Sequence, residues 1–341
     1  MRLYNPGARP RGPLSGIAMR IEAMWWRHQR PPLLLRWASG IYAALSRRDQ
    51  TGRVAAACKP PLPLISIGNI TVGGSGKTPF VIWLCGELRA RGYRPVVLCR
   101  GDGGRLDQPR RILPGDAAAE VGDEALLLAL RCGAPVIAGK DRVAGCKLAA
   151  NLGNVIVLDD GFQYRQLERS CDIVLIPDEG VGNGHLLPAG PLREPLSALE
   201  RADLVIRTGS TATDPLGNRR EWRWRAEVLD IRPFSGGDLP ETDDWLVLAG
   251  IARADRFFRA AAGRVQVRHE MRFSDHHRYT ADDVALILGF GMPVLTTEKD
   301  AVKLLPLWPK DKPLAVLPLR GSGEQGLPEI IIGTMLSHRK K

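Results

Sequence analysis

The chain has 341 residues, enough for about two domains and a sizeable core. Its 44% hydrophobic and 25% charged residues are the proportions of an ordinary soluble globular protein and exclude a largely disordered chain. The formal net charge of +11 favours an acidic partner, which could be nucleic acid, an anionic membrane surface or a multiply phosphorylated substrate. An arginine-rich genome composition with basic tails would give the same charge, so charge alone does not decide.

The cysteines include no C-x-x-C pair, and several lie in apolar runs. This pattern predicts buried free thiols in a reducing compartment rather than disulfides or a zinc site. The residues concerned are Cys58, Cys85, Cys99, Cys132, Cys146 and Cys171.

Residues 1–50 are predicted to form a basic tail and a surface helix. Residues 1–18 are rich in Arg, Pro and Gly, which predicts disorder. The run 33–45 places Leu, Trp, Ile and Tyr on one wide helical face, opposite Arg36 and Arg47. Basic residues precede the run at positions 27–30 and end it at positions 47–48. Aromatic anchors and basic flanks are typical of an interfacial membrane helix, although a helix packed on the protein's own core is the alternative. No apolar run of about 18 residues is present, so we do not expect a transmembrane helix.

A glycine-rich loop is the most informative motif. It follows the apolar run Leu64–Ile67 and precedes a helical segment, which is the context of a phosphate-binding loop. Glycines let backbone amides approach phosphate oxygens, while Lys77 reaches the β- and γ-phosphates and the Thr78 hydroxyl ligates Mg²⁺. Thr71 stands where the general motif has its first glycine, and a plain glycine loop is the alternative. The predicted nucleotide-binding residues are Thr71, Val72, Gly73, Gly74, Ser75, Gly76, Lys77 and Thr78.

From residue 62 onward, short apolar runs alternate with longer amphipathic ones, which predicts an α/β fold with a doubly wound parallel sheet. A polar stretch around residues 208–220 leads to the alternating run Glu221–Arg232, which we interpret as a linker or an edge strand. A second, smaller α/β unit follows. The predicted division is residues 1–50 for the tail and surface helix, 51–220 for the P-loop core, and 221–341 for the linker and smaller domain.

Two acidic pairs are candidates for chemistry. Asp159 and Asp160 end an apolar strand, and such a carboxylate in a P-loop protein commonly holds Mg²⁺ directly or through water. A turn or a helix cap is the alternative. Asp123 and Glu124 begin a helix, where acidic residues also simply offset the helix dipole. An Asp near the γ-phosphate could instead accept the proton of an attacking hydroxyl, so both interpretations stay open here.

The segment Asn183–Glu194 is dense in proline and glycine, which suits the rim of an active site better than a linker. Arg193 in this segment is predicted to pair with phosphate oxygens. Arg100, just past a strand end, and Arg142 are candidates for the same role.

Two adjacent histidines, His276 and His277, follow Asp275 in the second unit. No ligand-spaced Cys or His partners follow them, so we do not expect zinc. An Asp-supported imidazole could carry a proton, and a structural histidine is the alternative. The run Thr296–Asp300 predicts no more than a capped helix start.

Together, these motifs resemble the tetraacyldisaccharide 4'-kinase family of lipid A biosynthesis. The resemblance runs from about Pro31 to Leu304, and Gly184–Glu194 is more specific to the family than the phosphate loop. The Thr at the loop's first position belongs to the family's own version of the motif. Two positions depart from the family pattern, since Tyr164 stands in place of a His and Asp102 in place of a Tyr.

The resemblance implies phosphorylation, dependent on ATP and Mg²⁺, of the 4'-hydroxyl of a lipid-borne glucosamine disaccharide 1-phosphate. It also implies a P-loop fold with a small second domain, and peripheral attachment to the cytoplasmic face of the inner membrane. By position, Lys77 and Thr78 bind ATP and Mg²⁺, Asp123 is the general base, and His276 is its partner across the cleft. The further expectations are Asp160 and Glu194 beside Thr78 at the metal, Asp159 and Glu124 in the active site, and Arg100, Arg142 and Arg193 at the substrate.

Two rival functions compete with the kinase interpretation. A GTPase usually needs an Asn/Thr-Lys-x-Asp run, and the nearest match, Glu298-Lys299-Asp300, lacks both the first residue and the spacing. A membrane-associated nucleic-acid binder, suggested by the charge, would bind DNA in a salt-sensitive way and would not need the acidic residues. The kinase interpretation expects no nucleic acid and no obligate protein partner.

Overall fold

The computed structural model describes residues 2–4, 21–26, 30–209, 216, 220–235, 237–242 and 244–338. Residues 5–18 of the predicted disordered tail lie outside these ranges, as does most of the turn-rich stretch around residues 208–220. Arg2–Tyr4 form a short strand, β1, so the prediction of disorder is wrong for these three residues.

Two helices precede the first sheet. Residues 21–26 form α1, and α2 (Leu33–Ala55) covers the run for which the sequence predicts a surface helix. The sequence places Tyr42 on its exposed apolar face, but the Tyr42 hydroxyl faces the protein and donates to the Arg193 carbonyl at 3.1 Å. In the described ranges, no helix combines the length and the apolar character needed to cross a bilayer.

A nine-stranded sheet forms the larger unit of the described chain. Its strands are β2 (Leu64–Gly68), β3 (Pro95–Cys99), β4 (Arg110–Ile112), β5 (Val136–Ala138), β6 (Val155–Asp159), β7 (Cys171–Pro177), β8 (Leu204–Thr208), β9 (Glu221–Val228) and β15 (Leu319–Gly323). Their order is β15-β9-β8-β7-β2-β6-β3-β5-β4. Neighbours pair in parallel except at the two ends, where β15 runs antiparallel to β9 and β4 to β5.

Helices cover both faces of this sheet, as the doubly wound prediction requires. Ile65 and Ile67 of β2 pack in one core cluster together with residues of α3 (Lys77–Ala90), whereas Leu64 packs in another with residues of α6 (Arg142–Ala149). Successive residues of a strand point to opposite faces, so burial on both sides explains why these strands are nearly continuous apolar runs.

The order of strands places a crevice beside β2. This strand lies between β6 and β7, and the chain adds β3 and β5 on one side before it returns to add β7 and β8 on the other. Ligands of such sheets bind where the order reverses, outside the carboxyl ends of the strands. The phosphate-binding loop and Asp159-Asp160 both follow strands at this edge.

The run at residues 221–228 is neither a linker nor an edge strand. β9 lies between β8 and β15, and its Trp224 is 2% exposed in the core of the larger unit. The last helix, α10 (Leu327–Ser337), also packs in this core, on the α3 side. Residues 221–228 and 319–337 therefore belong structurally with the P-loop sheet.

The smaller unit is a six-stranded sheet in the order β1-β12-β11-β13-β14-β10. Its remaining strands are β10 (Arg232–Ser235), β11 (Asp244–Ala249), β12 (Gln266–Arg272), β13 (Val294–Thr296) and β14 (Leu314–Val316). The other helices of the described chain are α4 (Ala118–Val121) and α5 (Asp123–Arg131) in the larger unit and α7 (Ala254–Ala262), α8 (Ala281–Leu288) and α9 (Glu298–Leu304) in the smaller one. α9 packs against α5, and its Val302 is buried in the core of the larger unit.

All six cysteines are free, and all except Cys58 are buried, as their sequence context predicts.

Candidate active site

The phosphate-binding loop has the backbone that its glycines predict. Gly73 and Gly76 take φ angles of 92° and 80°, a region that residues with a Cβ rarely adopt. Gly76 directly precedes α3, so the first amides of this helix and its dipole favour an anion in the loop. Thr71 is fully buried, whereas Gly73 and Gly74 are exposed at the mouth of the loop.

The loop is held by the neighbouring rim and by a residue that the sequence did not single out. The amide of Val72 donates to the Pro191 carbonyl at 2.8 Å. Asn69, fully buried just after β2, donates through its side chain to the Thr71 carbonyl at 2.8 Å. Its side-chain oxygen accepts from Lys77 Nζ at 3.3 Å, so Asn69 positions both the loop and its lysine. The only sequence signal was a polar residue between a buried strand and the loop.

The acidic end of β6 lies beside the loop lysine. Lys77 Nζ is 3.2 Å from Asp160 Oδ1, and Arg193 Nη1 is 3.5 Å from Asp160 Oδ2. Burial raises the pKa of Asp160, but the charges of Lys77, Arg193 and Arg142 outweigh it and lower this pKa to about 2. Burial and two neighbouring carboxylates raise the pKa of Asp159 to about 7. Neighbouring basic groups therefore lower the pKa of one carboxylate of the pair, while burial and acidic neighbours raise that of the other.

Two of the predicted substrate arginines have contrasting positions. Arg142 is 3% exposed, donates to the Asp160 carbonyl at 2.8 Å, and stacks 4.9 Å from the centre of the Tyr164 ring. The Arg142 guanidinium therefore supports the end of β6 from inside, and its expected contact with substrate stays a prediction. Arg100 is exposed and pairs with Asp102 at 3.2 Å, at a position open to a ligand.

The rim segment Asn183–Glu194 lies directly against the loop. The amide of Arg193 donates to the Ile70 carbonyl at 2.7 Å, which places its side chain near the acidic strand end. The buried carboxylate of Glu194 accepts from Arg201 Nη2 at 2.8 Å and from Gln163 Nε2 at 3.1 Å. Glu194 is thus held rigidly within the site, and its expected contact with a metal stays a prediction.

Asp123 and His276 meet across the cleft between the two units. His276 Nδ1 is 3.2 Å from Asp123 Oδ2, and Asp123 is 5% exposed at the start of α5. The hydrogen bond with Asp123 raises the pKa of His276 above its ordinary value. Burial raises the pKa of Asp123, but the bond with His276 and the charges of Lys299 and Lys303 outweigh it, so the pKa of Asp123 is lowered.

Lys299 joins this pair, although its segment was predicted only to start a helix. Thr297 does cap α9, since its side chain accepts from the Asp300 amide at 3.0 Å. Lys299 Nζ donates to Glu124 Oε1 at 2.9 Å and lies 3.3 Å from His276 Nε2. The four side chains of Asp123, Glu124, His276 and Lys299 form one cluster drawn from both units, which we call the cleft cluster.

Backbone conformation also marks the site. In the part of the chain that the structure describes, Asp160 and His276 are the only residues other than glycine with a positive φ, at 50° and 55°. Asp and His tolerate this region better than most residues, but it still costs free energy. Both residues lie at the cleft, where their orientation matters.

Known proteins of one family are similar to this chain over most of its length. The family model described as Tetraacyldisaccharide-1-P 4'-kinase matches residues 32–335. A tetraacyldisaccharide 4'-kinase of Azoarcus sp. is 39% identical, over 86% of this chain and 90% of the relative. One from Alkalilimnicola ehrlichii is 40% identical, over 85% and 89% of the two chains. The crystal structure of "apo" form LpxK from Aquifex aeolicus in complex with ATP superposes with a TM-score of 0.70 at 28% identity, covering 87% of this chain and 97% of that one.

This chain belongs to the tetraacyldisaccharide 4'-kinase family. It is accordingly a lipid kinase that uses ATP to phosphorylate the 4' position of a tetraacyl disaccharide 1-phosphate in lipid A biosynthesis. The fold with the P-loop, the smaller α/β unit and the N-terminal helix is confirmed by the same comparisons.

The loop and strand end of this kinase have the donors that Mg²⁺ prefers. The Thr78 hydroxyl and the Asp160 carboxylate are hard oxygen donors, and Asp160 is fully ionised because of its lowered pKa. Mg²⁺ in kinases is typically bound by one or two carboxylates together with phosphate and water oxygens. Within the described residues, no group of three or more His, Cys, Asp and Glu side chains is arranged to hold a metal ion.

Proposed function

We propose that the family's reaction takes place in the cleft between the phosphate-binding loop and the cleft cluster, with Asp123 as the general base and His276 as its partner. The observation that carries this assignment is the 3.2 Å contact between the two side chains, which brings a residue of each unit to one point. A buried carboxylate in such a contact is held in one orientation, as a base must be. The alternative, a carboxylate that only offsets the dipole of α5, does not require a partner from the other unit.

The basic side chains around the loop are complementary in charge to the phosphates of a phosphoryl donor. We assign ATP to residues 71–78, with Lys77 at the β- and γ-phosphates and Arg193 at the reacting phosphate. The Thr78 hydroxyl and the Asp160 carboxylate would hold Mg²⁺, with the help of Glu194. When bound, this ion would neutralise part of the negative charge of the phosphates. Asp159, next to Asp160, would order water around that ion. Arg100 at the open side of the cleft would meet the 1-phosphate substrate.

The lowered pKa of Asp123 is compatible with its role. Phosphoryl transfer passes through a loose transition state, in which the attacking hydroxyl loses its proton late and positioning matters more than basicity. Asp123 is ionised at neutral pH and accepts a hydrogen bond from the 4'-hydroxyl, which orients the oxygen for attack. The proton is then shared with His276, and the two residues titrate as a pair.

A phosphotransfer assay with the lipid disaccharide 1-phosphate and Mg²⁺–ATP tests the assignment. Asp123→Ala is expected to reduce kcat by about 10²–10⁴-fold while ATP affinity stays near that of the wild type. Asp283→Ala is a matched control, because Asp283 forms a similar contact with His277 at 3.0 Å, but entirely within the smaller unit. Robust turnover by Asp123→Ala would eliminate the base, and no product from the wild type would contradict the function itself.

We also propose that α2 holds the enzyme on the anionic cytoplasmic face of the inner membrane. Ser39 on its inner side donates to the Leu186 carbonyl at 2.8 Å, so a small polar face packs on the rim. The opposite face leaves large apolar side chains exposed, with Trp37 at 70% and Leu45 at 64%. A helix packed on its own core would bury these residues, whereas an interfacial helix inserts them among lipids.

Vesicle sedimentation tests the membrane proposal. Trp37→Glu is expected to weaken binding to vesicles containing anionic phospholipid by about tenfold or more, because it removes an exposed indole that would insert among the lipids and adds a negative charge that they repel. Leu307→Glu, at a 42% exposed leucine in the smaller unit, serves as the control and should bind normally. Equal binding of the two variants would refute a docking role for α2. We keep the three-part domain division as a proposal, with residues 221–228 and 319–337 belonging to the larger sheet.

A further inference from the structure

A loop of the smaller unit reaches the mouth of the phosphate-binding loop. This segment, residues 250–253, follows β11 and ends at Arg253, directly before α7. A Cβ built on Gly73 would lie 3.8 Å from Arg253 Nη2, the nearest side-chain or backbone atom of the described residues outside its chain neighbours. An arginine of one unit therefore stands over an exposed glycine of the nucleotide loop in the other.

Among the described residues, the Arg253 guanidinium contacts two further side chains, and neither lies in the smaller unit. It forms an ion pair with Glu179, which follows β7, and Glu179 also pairs with Arg256. It stacks 5.2 Å from the centre of the Trp26 ring in α1. The Arg253 side chain is only 20% exposed, so it is not a freely solvated surface charge. All of these contacts orient it toward the larger unit.

A buried residue of α9 holds the backbone of the loop that carries Arg253. The amide of Gly250 donates to the carboxylate of Asp300 at 2.9 Å, and Asp300 is fully buried at the start of α9. The neighbouring residue, Lys299, belongs to the cleft cluster. Two adjacent residues of α9 thus contact the two sides of the cleft. Lys299 lies beside Asp123 and His276, and Asp300 holds the loop that carries Arg253.

We propose that Arg253 binds the terminal phosphate of ATP from the smaller unit, and that Glu179 is its partner when no nucleotide is bound. This inference deepens the proposed function and rests on the assignment of ATP to residues 71–78. Loop amides hold the phosphates from below, and Lys77 reaches them from α3, so an arginine over Gly73 closes the open side. A planar guanidinium can donate two parallel hydrogen bonds to phosphate, which makes it well suited to displace its carboxylate partner.

The pairing of Glu179 with two arginines explains why Arg253 would exchange this carboxylate for the terminal phosphate. A single carboxylate shared by two arginines leaves the group with a net positive charge, which attracts the terminal phosphate. Arg253 can then move to the phosphate while Arg256 keeps Glu179 occupied. Nucleotide binding would in this way add a contact between the two units at the moment when the cleft cluster must be assembled.

Equilibrium binding of ATP and ADP, each with Mg²⁺, tests the proposal on the full chain. Arg253→Ala is expected to weaken ATP binding by about tenfold and ADP binding by less than about threefold, because only ATP carries the phosphate that is contacted. Arg253→Lys should recover part of the loss, since it keeps charge but not the planar fork. Arg259→Ala is the matched control: it removes an exposed arginine of α7, the helix that follows Arg253, which takes no part in the Glu179 contact, and it should bind both nucleotides like the wild type. Glu179→Gln should tighten ATP binding by about two- to threefold.

Lys77→Ala separates the failure of this inference from the failure of the proposed function. ATP affinity within about twofold of the wild type for Arg253→Ala, together with lost binding for Lys77→Ala, would overturn the role of Arg253 and leave the loop assignment intact. No binding by the wild type would overturn both. If Arg253→Ala fails to fold, as judged by circular dichroism, Glu179→Gln decides: tighter ATP binding supports the role, and unchanged or weaker binding refutes it.

Discussion

The two units touch on both sides of the cleft, and the two contacts differ in kind. On one side, α9 packs on α5, Val302 is 2% exposed in the core of the larger unit, and Lys299 reaches Glu124. On the other side, Glu179 pairs with Arg253 and Arg256 by ion pairs that are partly exposed. We call these the α5–α9 contact and the Glu179 contact.

Apolar burial and exposed ion pairs contribute very differently to stability. Burying an aliphatic side chain stabilises by about 1.5–3 kcal/mol, whereas an exposed ion pair is typically worth about 0–1 kcal/mol and is screened by salt. The α5–α9 contact should therefore persist while the Glu179 contact opens and closes. The proposed base, Asp123, and its partner His276 lie beside the α5–α9 contact, and the loop to which we assign ATP lies beside the Glu179 contact. On this proposal, nucleotides exchange while the contact between Asp123 and His276 stays intact.

Of the changes that test this contrast, Val302→Ala is expected to have the largest effect on the free energy of unfolding. Val302→Ala removes two methyl groups from a core shared by both units, which should lower the free energy of unfolding by about 2 kcal/mol. Because α9 also carries Lys299, the loosened helix should lower kcat/KM as well. Val284→Ala is the control, since Val284 is 5% exposed in a cluster confined to the smaller unit. Denaturant unfolding and phosphotransfer kinetics measure both effects. Equal kinetics in the two variants would mean that α9 does not transmit packing to the site.

Lys299 should affect the reaction more than the fold. Lys299→Met removes the partner of Glu124 and the cation beside His276, and we expect kcat to fall by about tenfold with little change in KM for ATP. The Lys299 charge lowers the pKa of His276, so its loss should move the limb of the pH–rate profile assigned to His276 to higher pH. Lys299→Arg should restore part of kcat. A purely structural lysine would leave the pH profile in place.

The stability of the α5–α9 side should depend on pH. The pKa of His276 is raised from 6.5, foremost by its bond with Asp123, so its stabilisation is complete below about pH 6.5 and is lost as the pH rises through the raised value. The pKa of Asp123 is lowered from 3.8, so its stabilisation is present above about pH 4 and is lost as the pH falls through the lowered value. The difference in unfolding free energy between the wild type and His276→Gln should therefore be largest between about pH 4 and 6.5. It should stay below about 1 kcal/mol, since His276 is half-exposed and screened. An equal difference at pH 8.5 would contradict the ion pair.

Local patterns predicted the parts of this site that lie within one strand–loop–helix unit. Residues 64–90 contain the strand period, the glycines and the helix start in one stretch, so the loop was predictable without tertiary information. Lys299 was not, because its signal was that of a capped helix and its partner Glu124 is 175 positions away in sequence. The motif at Asp123 alone leaves two interpretations open, and it is the family resemblance, rather than any local pattern, that pairs Asp123 with His276.

In the fold, too, local sequence patterns predict some features and miss others. Strands buried on both faces, such as β3 and β6, were recognised as apolar runs. β9 alternates exposed and buried residues, which is typical of an edge strand, and its outer neighbour β15 comes from the far end of the chain. Likewise, the sequence shows only the charge of Arg142, and its burial beneath Asp160, where it supports the strand end, is visible only in the structure. Charge and period are local properties, whereas burial depends on what the rest of the chain covers.

The smallest effect on stability is expected from Glu179→Gln, and it is the most direct test of the contrast between the two contacts. The variant removes both ion pairs but no apolar packing, so the free energy of unfolding should change by less than about 1 kcal/mol at low salt. The remaining difference from the wild type should vanish at about 1 M salt, where the screening length is roughly 3 Å. Denaturant unfolding at two salt concentrations measures this, with Val302→Ala beside it, whose loss should be unaffected by salt. If Glu179→Gln cost as much as Val302→Ala, the Glu179 contact would be a second permanent contact. The smaller unit could then not open on that side to admit ATP.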